Sequence, residues 1–339
     1  ERPLPLVFRS HPESMQRWLF LLCVIGLASA APVDDSGELQ SEKPHDAKKS
    51  KETNYKLYIG EQDFRLPFKT RVVQSFVNGQ TIHTLGKINE KPTRIDFNFH
   101  KGADKDADMP LHFSIRFDEG IFHSKFIYNT FLNGNWTEDE QRINNPFKAN
   151  KDFDLRVRII DGKYHVFANR KDVGKFDIRQ PLDGIDHVSI RGDLTSLRLF
   201  HYGGSVYPNP YTAVANLVPG KRLDISGVPT GKRFNINLYR ENKEYALQLS
   251  IRFNEGVIVR NAMANNHWGK EERDGDFNMN KGEMFDITVI NEEFSLQIFV
   301  NGKRFTTFMH RGKPSDFKTL EIDGDVEVHT VTINDAVGA

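Results

Sequence analysis

The segment LHFSIRFDEG, residues 111–120, returns in the second half of the chain as LQLSIRFNEG, residues 247–256. Apolar and polar side chains alternate along the first seven positions of both copies. Such alternation places one face of a β-strand on an apolar core and the other face in water. The repeated segment therefore predicts the same β-strand in two related parts of the chain.

The spacing of the repeat shows how long each related part is. Arg116 returns as Arg252, and Trp136 returns as Trp268. The interval between the copies is far longer than a solenoid unit, so each copy is predicted to be a whole domain. The two tryptophans are closer together in the chain than the two arginines, which means that the first copy carries 4 extra residues after Gly120.

Alternating runs of the same kind recur from residue 55 onwards, separated by two-residue turn signals. Clear runs are found at residues 94–99, 154–159 and 295–300. Asn-Gly or Asp-Gly turn pairs stand at residues 78–79, 133–134, 161–162 and 301–302. No stretch shows sustained helical periodicity. Closely spaced short strands with such turns predict an all-β sandwich or barrel.

The N-terminal part of the chain resembles a targeting segment. An arginine-bearing start at Met15 is followed by an apolar run at residues 18–27 and by Ala-Ser-Ala at residues 28–30. This order is typical of a secretory signal peptide, although a buried helix or a membrane anchor would share the apolar run. The run is too short to span a bilayer. We therefore expect a signal peptide over residues 15–30 and a secreted protein; the alternative is a cytoplasmic chain exported by an unconventional route.

The remaining organisation follows from composition and from the repeat. Residues 1–14 precede the first methionine and are interpreted as an artefact of gene prediction or as an untranslated upstream extension. Residues 31–54 are rich in charge and poor in apolar side chains, which predicts a disordered leader. The two predicted domains span residues 55–204 and 205–339, and loop-forming Gly and Pro residues join them.

Composition argues against a nucleic-acid partner, membrane insertion, disulfide bonds and bound metals. Lys+Arg and Asp+Glu both number 46, so no excess of positive charge indicates a nucleic-acid partner. No apolar run predicts membrane insertion. The single cysteine, Cys23, lies inside the predicted signal peptide, so a mature chain would have no disulfide. The histidines are scattered and no calcium-loop spacing occurs, so neither a metal nor another cofactor is expected.

Polar residues at alternate positions predict a binding face in the first repeat. If the strands are neighbours, one sheet face would hold imidazole, guanidinium, amide, carboxylate and one indole. A sugar needs directional donors and acceptors for its hydroxyls and a flat apolar partner for its C–H face. An ordinary solvated sheet face with cross-strand charge pairs is the alternative. The predicted site residues are His112, Ser114, Arg116, Asn129, Trp136, Glu140 and Arg142.

This pattern resembles the galectin signature, H-x-N-x-R followed by N and then W-x-x-E-x-R, and it occurs twice. The resemblance covers about residues 66–335 and is to tandem-repeat galectins of the nematode type. It implies two jelly-roll-like (concanavalin-like) antiparallel β-sandwich domains in tandem, each with a galactoside groove on its concave sheet. The corresponding residues of the second repeat are Gln248, Ser250, Arg252, Asn261, Trp268, Glu271 and Arg273.

The resemblance also implies roles for the residues of the first site. His112 and Arg116 would hold the axial 4-hydroxyl of galactose. Asn129 would hold the 6-hydroxyl, and Trp136 would stack on the sugar ring. The glutamate and arginine at positions 140 and 142 would reach the 3-hydroxyl of the next sugar. The first repeat has one more residue between Trp136 and this glutamate than the second repeat has between its tryptophan and glutamate, so the glutamate role could instead belong to Asp139.

Three positions depart from the signature. Ser114 and Ser250 stand where the family has asparagine, and Gln248 stands where histidine is expected. A buried polar group left unpaired costs about 1–3 kcal/mol. A millimolar to micromolar site has only about 4–8 kcal/mol of binding free energy. The first site should tolerate its one change, whereas the two changes in the second site could abolish or redirect its binding.

The expected function is bivalent cross-linking of β-galactoside glycans on glycoproteins or glycolipids, without catalysis. A galectin-fold protein-interaction module with degenerate sugar sites is one alternative. A glycoside hydrolase is another, with its acids at residues 138–140 or 271–272, but neighbouring arginines lower a carboxylate pKa and disfavour a general acid. Asn135-Trp136-Thr137 is the sole N-glycosylation acceptor in the sequence, so Asn135 is a candidate modification site.

Overall fold

The structure, a computed structural model, describes residues 55–118 and 124–336. The predicted signal peptide, the leader and the residues before them lie outside the described residues, as do most of the extra residues after Gly120. Within the described ranges the regular structure is entirely β, and no helix is long and apolar enough to cross a membrane.

The described residues of the first repeat form twelve strands in two sheets. The strands are β1 (Phe68–Arg71), β2 (Thr81–Ile88), β3 (Arg94–His100), β4 (Met109–Arg116), β5 (Lys125–Leu132), β6 (Asn135–Trp136), β7 (Gln141–Asn144), β8 (Asp152–Ile160), β9 (Lys163–Ala168), β10 (Lys171–Asp177), β11 (His187–Gly192) and β12 (Leu194–Gly203). The groove sheet has the order β1-β11-β3-β4-β5-β6, with β7 also paired to β5, and the back sheet has the order β10-β9-β8-β2-β12. All of the pairings are antiparallel.

The second repeat builds the same arrangement from fewer, longer strands. They are β13 (Tyr211–Val214), β14 (Lys221–Tyr239), β15 (Tyr245–Arg252), β16 (Val257–Asn261), β17 (Met263–Ala264), β18 (His267–Trp268), β19 (Phe285–Asn291), β20 (Ser295–Val300), β21 (Lys303–Met309) and β22 (Thr319–Asp335). The first part of β14 pairs with β19 and its last part pairs with β15, so β14 runs through both layers. β22 follows it through both layers. The groove layer is β13-β22-β14-β15-β16 and the back layer is β22-β14-β19-β20-β21.

The two layers of each sandwich enclose an apolar core. In the repeated strands β4 and β15, the apolar positions of the alternation are all buried, from Leu111 to Ile115 and from Leu247 to Ile251. Phenylalanine rings fill much of the first core, while aliphatic side chains dominate the second. The alternation therefore predicted correctly which face of each strand points inwards.

Three of the four predicted turn pairs have the backbone that tight hairpins require; at residues 78–79 only Gly79 has a positive φ, and the flanking strands β1 and β2 lie in different sheets. Asn133 and Gly134 have φ of 50° and 79°, and Asp161 and Gly162 have φ of 51° and 70°. Two consecutive positive values are typical of the type I′ turn, whose twist matches that of the flanking strands. The first of these turns connects β5 to β6 and so places Trp136 at the end of the groove sheet.

The back sheets of the two sandwiches contact each other. Arg156 on β8 donates hydrogen bonds to Asp154 and, across the interface, to both carboxylate oxygens of Asp286 on β19 at 2.8 Å. Arg158, also on β8, donates to Glu327 on β22 at 3.0 Å. The expectation that the polar face of residues 154–159 meets water is wrong, because the second sandwich covers it.

The connection between the sandwiches is short and closely packed. β12 ends at Gly203 and β13 begins at Tyr211. Gly204 has φ of 98°, and a Cβ atom there would lie 2.2 Å from the carbonyl oxygen of His329. Only glycine allows this approach of the two backbones. Because the linker is short and its backbone is held this closely, we expect it to restrict the relative motion of the sandwiches.

Candidate functional site

The floor of the first groove is formed by paired residues of β3 and β4. His112 lies opposite Asn98, and its Nδ1 donates to Asn98 Oδ1 at 2.6 Å. Arg94 Nη2 lies 3.4 Å from the other ring nitrogen, Nε2. Burial lowers the pKa of His112 to about 4, and the nearby arginines act in the same direction. The imidazole is therefore neutral at physiological pH, and Nε2 is an acceptor.

This neutral imidazole gives the first site a specific pH dependence. We expect ligand binding by the first site to persist from pH 8 to pH 5 and to weaken as pH falls through about 4, because a protonated Nε2 donates instead of accepting. His112→Gln introduces a side chain that does not titrate, so the affinity of this variant should change much less as pH falls through about 4. Titration calorimetry from pH 8 to pH 3.5 compares the two proteins; identical profiles would contradict the assignment.

The serine that replaces the family asparagine has a buried partner. Ser114 is fully buried, and its Oγ donates to Asp96 Oδ1 at 2.7 Å. Arg94 Nε donates to the same oxygen at 2.7 Å. Burial raises the pKa of Asp96, but the hydrogen bonds from Arg94 and Ser114 and the charge of Arg94 outweigh burial and hold this pKa below its ordinary value. The structure thus places Ser114 beneath the groove rather than on its surface.

An arginine–carboxylate–arginine arrangement lies beside this floor. Arg142 Nε donates to Glu140 Oε1 at 2.6 Å, and Arg116 Nη2 lies 3.9 Å from Glu140 Oε2. The carboxylate of Glu140 therefore stands between two guanidinium groups. The geometry favours Glu140 over Asp139, whose backbone carbonyl instead accepts a hydrogen bond from Arg179.

Trp136 forms one wall of the first groove. Its side chain is 47% exposed, although it is a large apolar group. One side meets the ring of His112 at 4.7 Å between centroids and the ring of Phe131 at 5.1 Å, both edge to face. These neighbours fix the indole orientation while leaving apolar surface in contact with solvent.

The second groove repeats this plan with other floor residues. Gln248 lies opposite Asn237, and Gln248 Nε2 donates to Asn237 Oδ1 at 3.1 Å. The glutamine therefore makes the same cross-strand contact as His112, although it presents an amide rather than an imidazole. Ser250 is fully buried, and its Oγ accepts a hydrogen bond from Arg252 Nε at 3.2 Å.

The second groove also has the arginine–carboxylate–arginine arrangement. Arg252 Nη2 donates to Glu271 Oε1 at 3.3 Å, and Arg273 Nη1 donates to Glu271 Oε2 at 3.0 Å. Glu255 contacts both arginines from the other side. The hydrogen bond from Arg273 lowers the pKa of Glu271, which is the opposite of what a general acid needs.

The second tryptophan is as exposed as the first but has a different neighbour. Trp268 is 45% exposed and packs on Tyr245 with 4.7 Å between ring centroids and 38° between ring planes. Asn261 is anchored by a hydrogen bond from its Nδ2 to the carbonyl of Gly269 at 2.9 Å. In the first domain, Asn129 Nδ2 donates in the same way to Thr137 O at 3.2 Å. All fourteen predicted residues thus lie in two equivalent clusters.

Sequence reasoning missed the groove residues on the neighbouring strands. The alternation of residues 94–99 placed Asp96 and Asn98 on a polar face, but not beside the site. On the next strand, Arg191 Nε lies 3.4 Å from Asp96 Oδ2. The equivalent residue of the second groove is Asp323, whose carboxylate accepts from Asn235 at 2.8 Å. Strand order, which alternation does not reveal, brings these residues into the grooves.

No cluster of three or more His, Cys, Asp or Glu side chains able to hold a metal ion is found among the described residues. The polar atoms of both grooves are instead arranged as hydrogen-bond donors and acceptors between strands. This chemistry suits a neutral polyhydroxylated ligand with one apolar face.

Comparison with known proteins agrees with this geometry. The profile of the family described as galactoside-binding lectin matches residues 67–201 and 209–333. A 32 kDa beta-galactoside-binding lectin of Haemonchus contortus is 41% identical over 82% of this chain and 98% of that protein. A protein of the same description from Caenorhabditis elegans is 38% identical over 80% and 98%, and galectin-4 of Sus scrofa is 28% identical over 79% and 95%. The chain therefore belongs to the galectin family of galactoside-binding lectins, as a tandem repeat of two lectin domains.

Proposed function

We propose that each groove binds a β-galactoside and that the chain cross-links glycans on glycoproteins or glycolipids. The observation that carries the proposal is the recurrence, in both domains, of a half-exposed tryptophan beside an arginine–carboxylate–arginine group. The indole offers a flat apolar surface to the C–H face of a pyranose. The guanidinium groups donate to hydroxyls in fixed directions, and the carboxylate accepts from them.

The test of this proposal is direct binding by the whole chain. We expect retention on lactose-agarose, elution by free lactose, and a calorimetric stoichiometry of two lactose molecules per chain. Retention should be unchanged by a chelator, because the groove contacts are hydrogen bonds and stacking. A stoichiometry of one, with a lactose-silent second domain, would instead favour the view that this domain is a protein-interaction module.

The two grooves differ in charge, and this difference supports different glycan preferences. Arg191 lies at the edge of the first groove, whereas Asp323 occupies the equivalent position in the second. Glu321 adds a second carboxylate there and accepts from Asn237 at 3.1 Å. A galactoside that carries a sulfate group should therefore prefer the first domain.

A charge exchange tests this preference. Each site is measured in a chain whose other groove is silenced, and its affinity for lactose sulfated on the galactose ring is divided by its affinity for lactose. We expect this ratio to be roughly tenfold higher for the first site than for the second. Arg191→Asp should remove the preference and Asp323→Arg should create it in the second site. Calorimetry at low salt and in 1 M salt measures both ratios, and the difference should shrink at high salt. Equal ratios at low salt would contradict the charge argument.

We also propose that the chain is secreted and is glycosylated beside the first groove. The support is the predicted signal peptide over residues 15–30, together with the exposure of Asn135 next to Trp136. A mobile oligosaccharide at this position would obstruct ligand entry. The mature protein would then begin near residue 31.

The expected result is that protein from a eukaryotic secretory host carries a glycan at Asn135 and binds lactose more tightly after enzymatic deglycosylation. Mass spectrometry locates the glycan and the N-terminus, and calorimetry measures the affinity. Asn135→Gln is the matched control, because it removes the acceptor while keeping Thr137, whose hydroxyl donates to Asn129 at 2.7 Å. An unmodified Asn135 in secreted material, or an unchanged affinity after deglycosylation, would exclude this effect.

A further inference from the structure

In each domain, one arginine reaches the groove from the connection that follows the edge strand of the back sheet. Arg179 follows β10 and Arg311 follows β21. The interval between these two arginines equals the interval between Trp136 and Trp268, so they occupy equivalent positions in the repeat. Both guanidinium groups also lie over an aromatic ring, that of Tyr128 at 5.0 Å and that of Phe308 at 4.8 Å.

In the second domain this arginine contacts the groove asparagine directly. Arg311 Nη1 donates to Asn261 Oδ1 at 2.8 Å, and Nη2 donates to Glu272 at 2.8 Å. Asn261 Oδ1 also accepts from the backbone of Ala262 at 2.9 Å. Because two donors converge on Oδ1, the amide is held with its oxygen inwards. A flipped amide would set its own N–H groups against those donors.

In the first domain the same oxygen is held through a hydroxyl. Thr137 Oγ1 donates to Asn129 Oδ1 at 2.7 Å, and Arg179 Nη1 donates to Thr137 Oγ1 at 3.3 Å. The backbone of Thr130 supplies the second donor to Asn129 Oδ1, at 2.8 Å. The hydroxyl is oriented because it accepts a hydrogen bond from Arg179 and donates one to Asn129.

The residue between arginine and asparagine differs in a way that matches this geometry. Gly269 stands where the first domain has Thr137. A Cβ atom at Gly269 would lie 2.7 Å from Arg311 Nη1, so a side chain there would compete with the direct contact. Two different local solutions therefore lead to the same amide orientation, which indicates that the orientation itself is what the arginine maintains.

We propose that Arg179 and Arg311 are positioning residues that fix the amides of Asn129 and Asn261, so that an Nδ2 hydrogen points at the sugar. One Nδ2 hydrogen donates to the backbone carbonyl of Thr137 or Gly269, and the other is then directed at a ligand oxygen. The inference rests on the proposed galactoside function. It adds that each asparagine acts as a donor and that an arginine from the connection after β10 or β21 determines this.

The test uses the full chain with one groove silenced by Trp136→Ala or Trp268→Ala. In the chain with an intact second groove, we expect Arg311→Met to weaken lactose binding by about tenfold. The same substitution should change the binding of lactose deoxygenated at the galactose 6-position little, because that ligand has no 6-hydroxyl to accept a hydrogen bond from Asn261. Arg311→Met added to Asn261→Ala should have no further effect. Arg179→Met, with Asn129→Ala, is the parallel test in the first groove.

Several outcomes distinguish positioning from a structural role. Equal weakening for lactose and its deoxy analogue, or additive effects of the arginine and asparagine changes, would overturn the inference. Unchanged lactose binding in the arginine variants would also overturn it. Arg198→Met, on β12 and away from both grooves, is the matched control and should bind like the parent chain. Failure of the parent chain itself to bind lactose would instead count against the proposed function.

Discussion

Replacing Asp286 by alanine is expected to lower the free energy of unfolding by about 3–5 kcal/mol, because it removes the carboxylate that two largely buried arginines share and leaves Arg156 with Asp154 alone. Arg156 is buried at the contact between the sandwiches, and its Nη1 and Nη2 each donate to Asp286 at 2.8 Å. Tyr58 and Arg170 donate to the same carboxylate. Chemical denaturation followed by tryptophan fluorescence measures the change.

The electrostatics of this site explain the size of the effect. Burial opposes the ionisation of Asp286, but the charges of Arg156 and Arg170 outweigh it and hold its pKa well below the ordinary value. The stabilisation is therefore complete above the unfolded pKa of about 3.9 and is lost as pH falls through the lower folded value.

A second carboxylate provides the control. Asp177 pairs with Lys163 on the surface, and Asp177→Ala should leave the unfolding midpoint almost unchanged because solvent screens this pair. Lactose binding should persist in Asp286→Ala at temperatures where the chain is folded, since the grooves lie on the opposite sheets. Equal effects of the two substitutions would mean that the contact between the sandwiches does not stabilise the chain.

This interface shows why sequence reasoning reached the two sandwiches but not their contact. The alternation at residues 154–159 correctly separated Leu155 and Val157 from Arg156 and Arg158. Alternation shows only that one face of a strand is polar. The same sequence pattern arises whether that face contacts water or the polar surface of another domain. The arginines are buried because a second domain covers them, and the residues that cover them are distant in the chain.

The grooves show the same limit. The signature identified residues that one strand or one hairpin carries, such as Trp136 and Glu140. It missed Asp96 because strand order, not sequence neighbourhood, brings β3 beside β4. It missed Arg179 and Arg311 because they lie in connections with no periodicity, and only their equivalent positions in the repeat could have indicated a shared role.

The largest functional effect is expected from removing either groove tryptophan. Trp136→Ala or Trp268→Ala leaves one functional groove, and one groove cannot bridge two cells. Avidity from linked sites exceeds single-site affinity by about 10²–10⁴-fold, so agglutination of β-galactoside-bearing cells should fall at least about a hundredfold in each variant. Lactose should still bind each variant, with a stoichiometry of one.

Selective loss requires that the fold survives these changes. Both indoles are nearly half exposed, so their removal should shift the unfolding midpoint only slightly. Phe294→Ala is the matched control, because this exposed aromatic side chain lies just before β20, in the back sheet, and should not affect agglutination. Wild-type agglutination by Trp268→Ala would mean that the second groove contributes no site. Unfolding of Trp136→Ala would mean that this indole supports the core, and the first groove would then need another stacking surface.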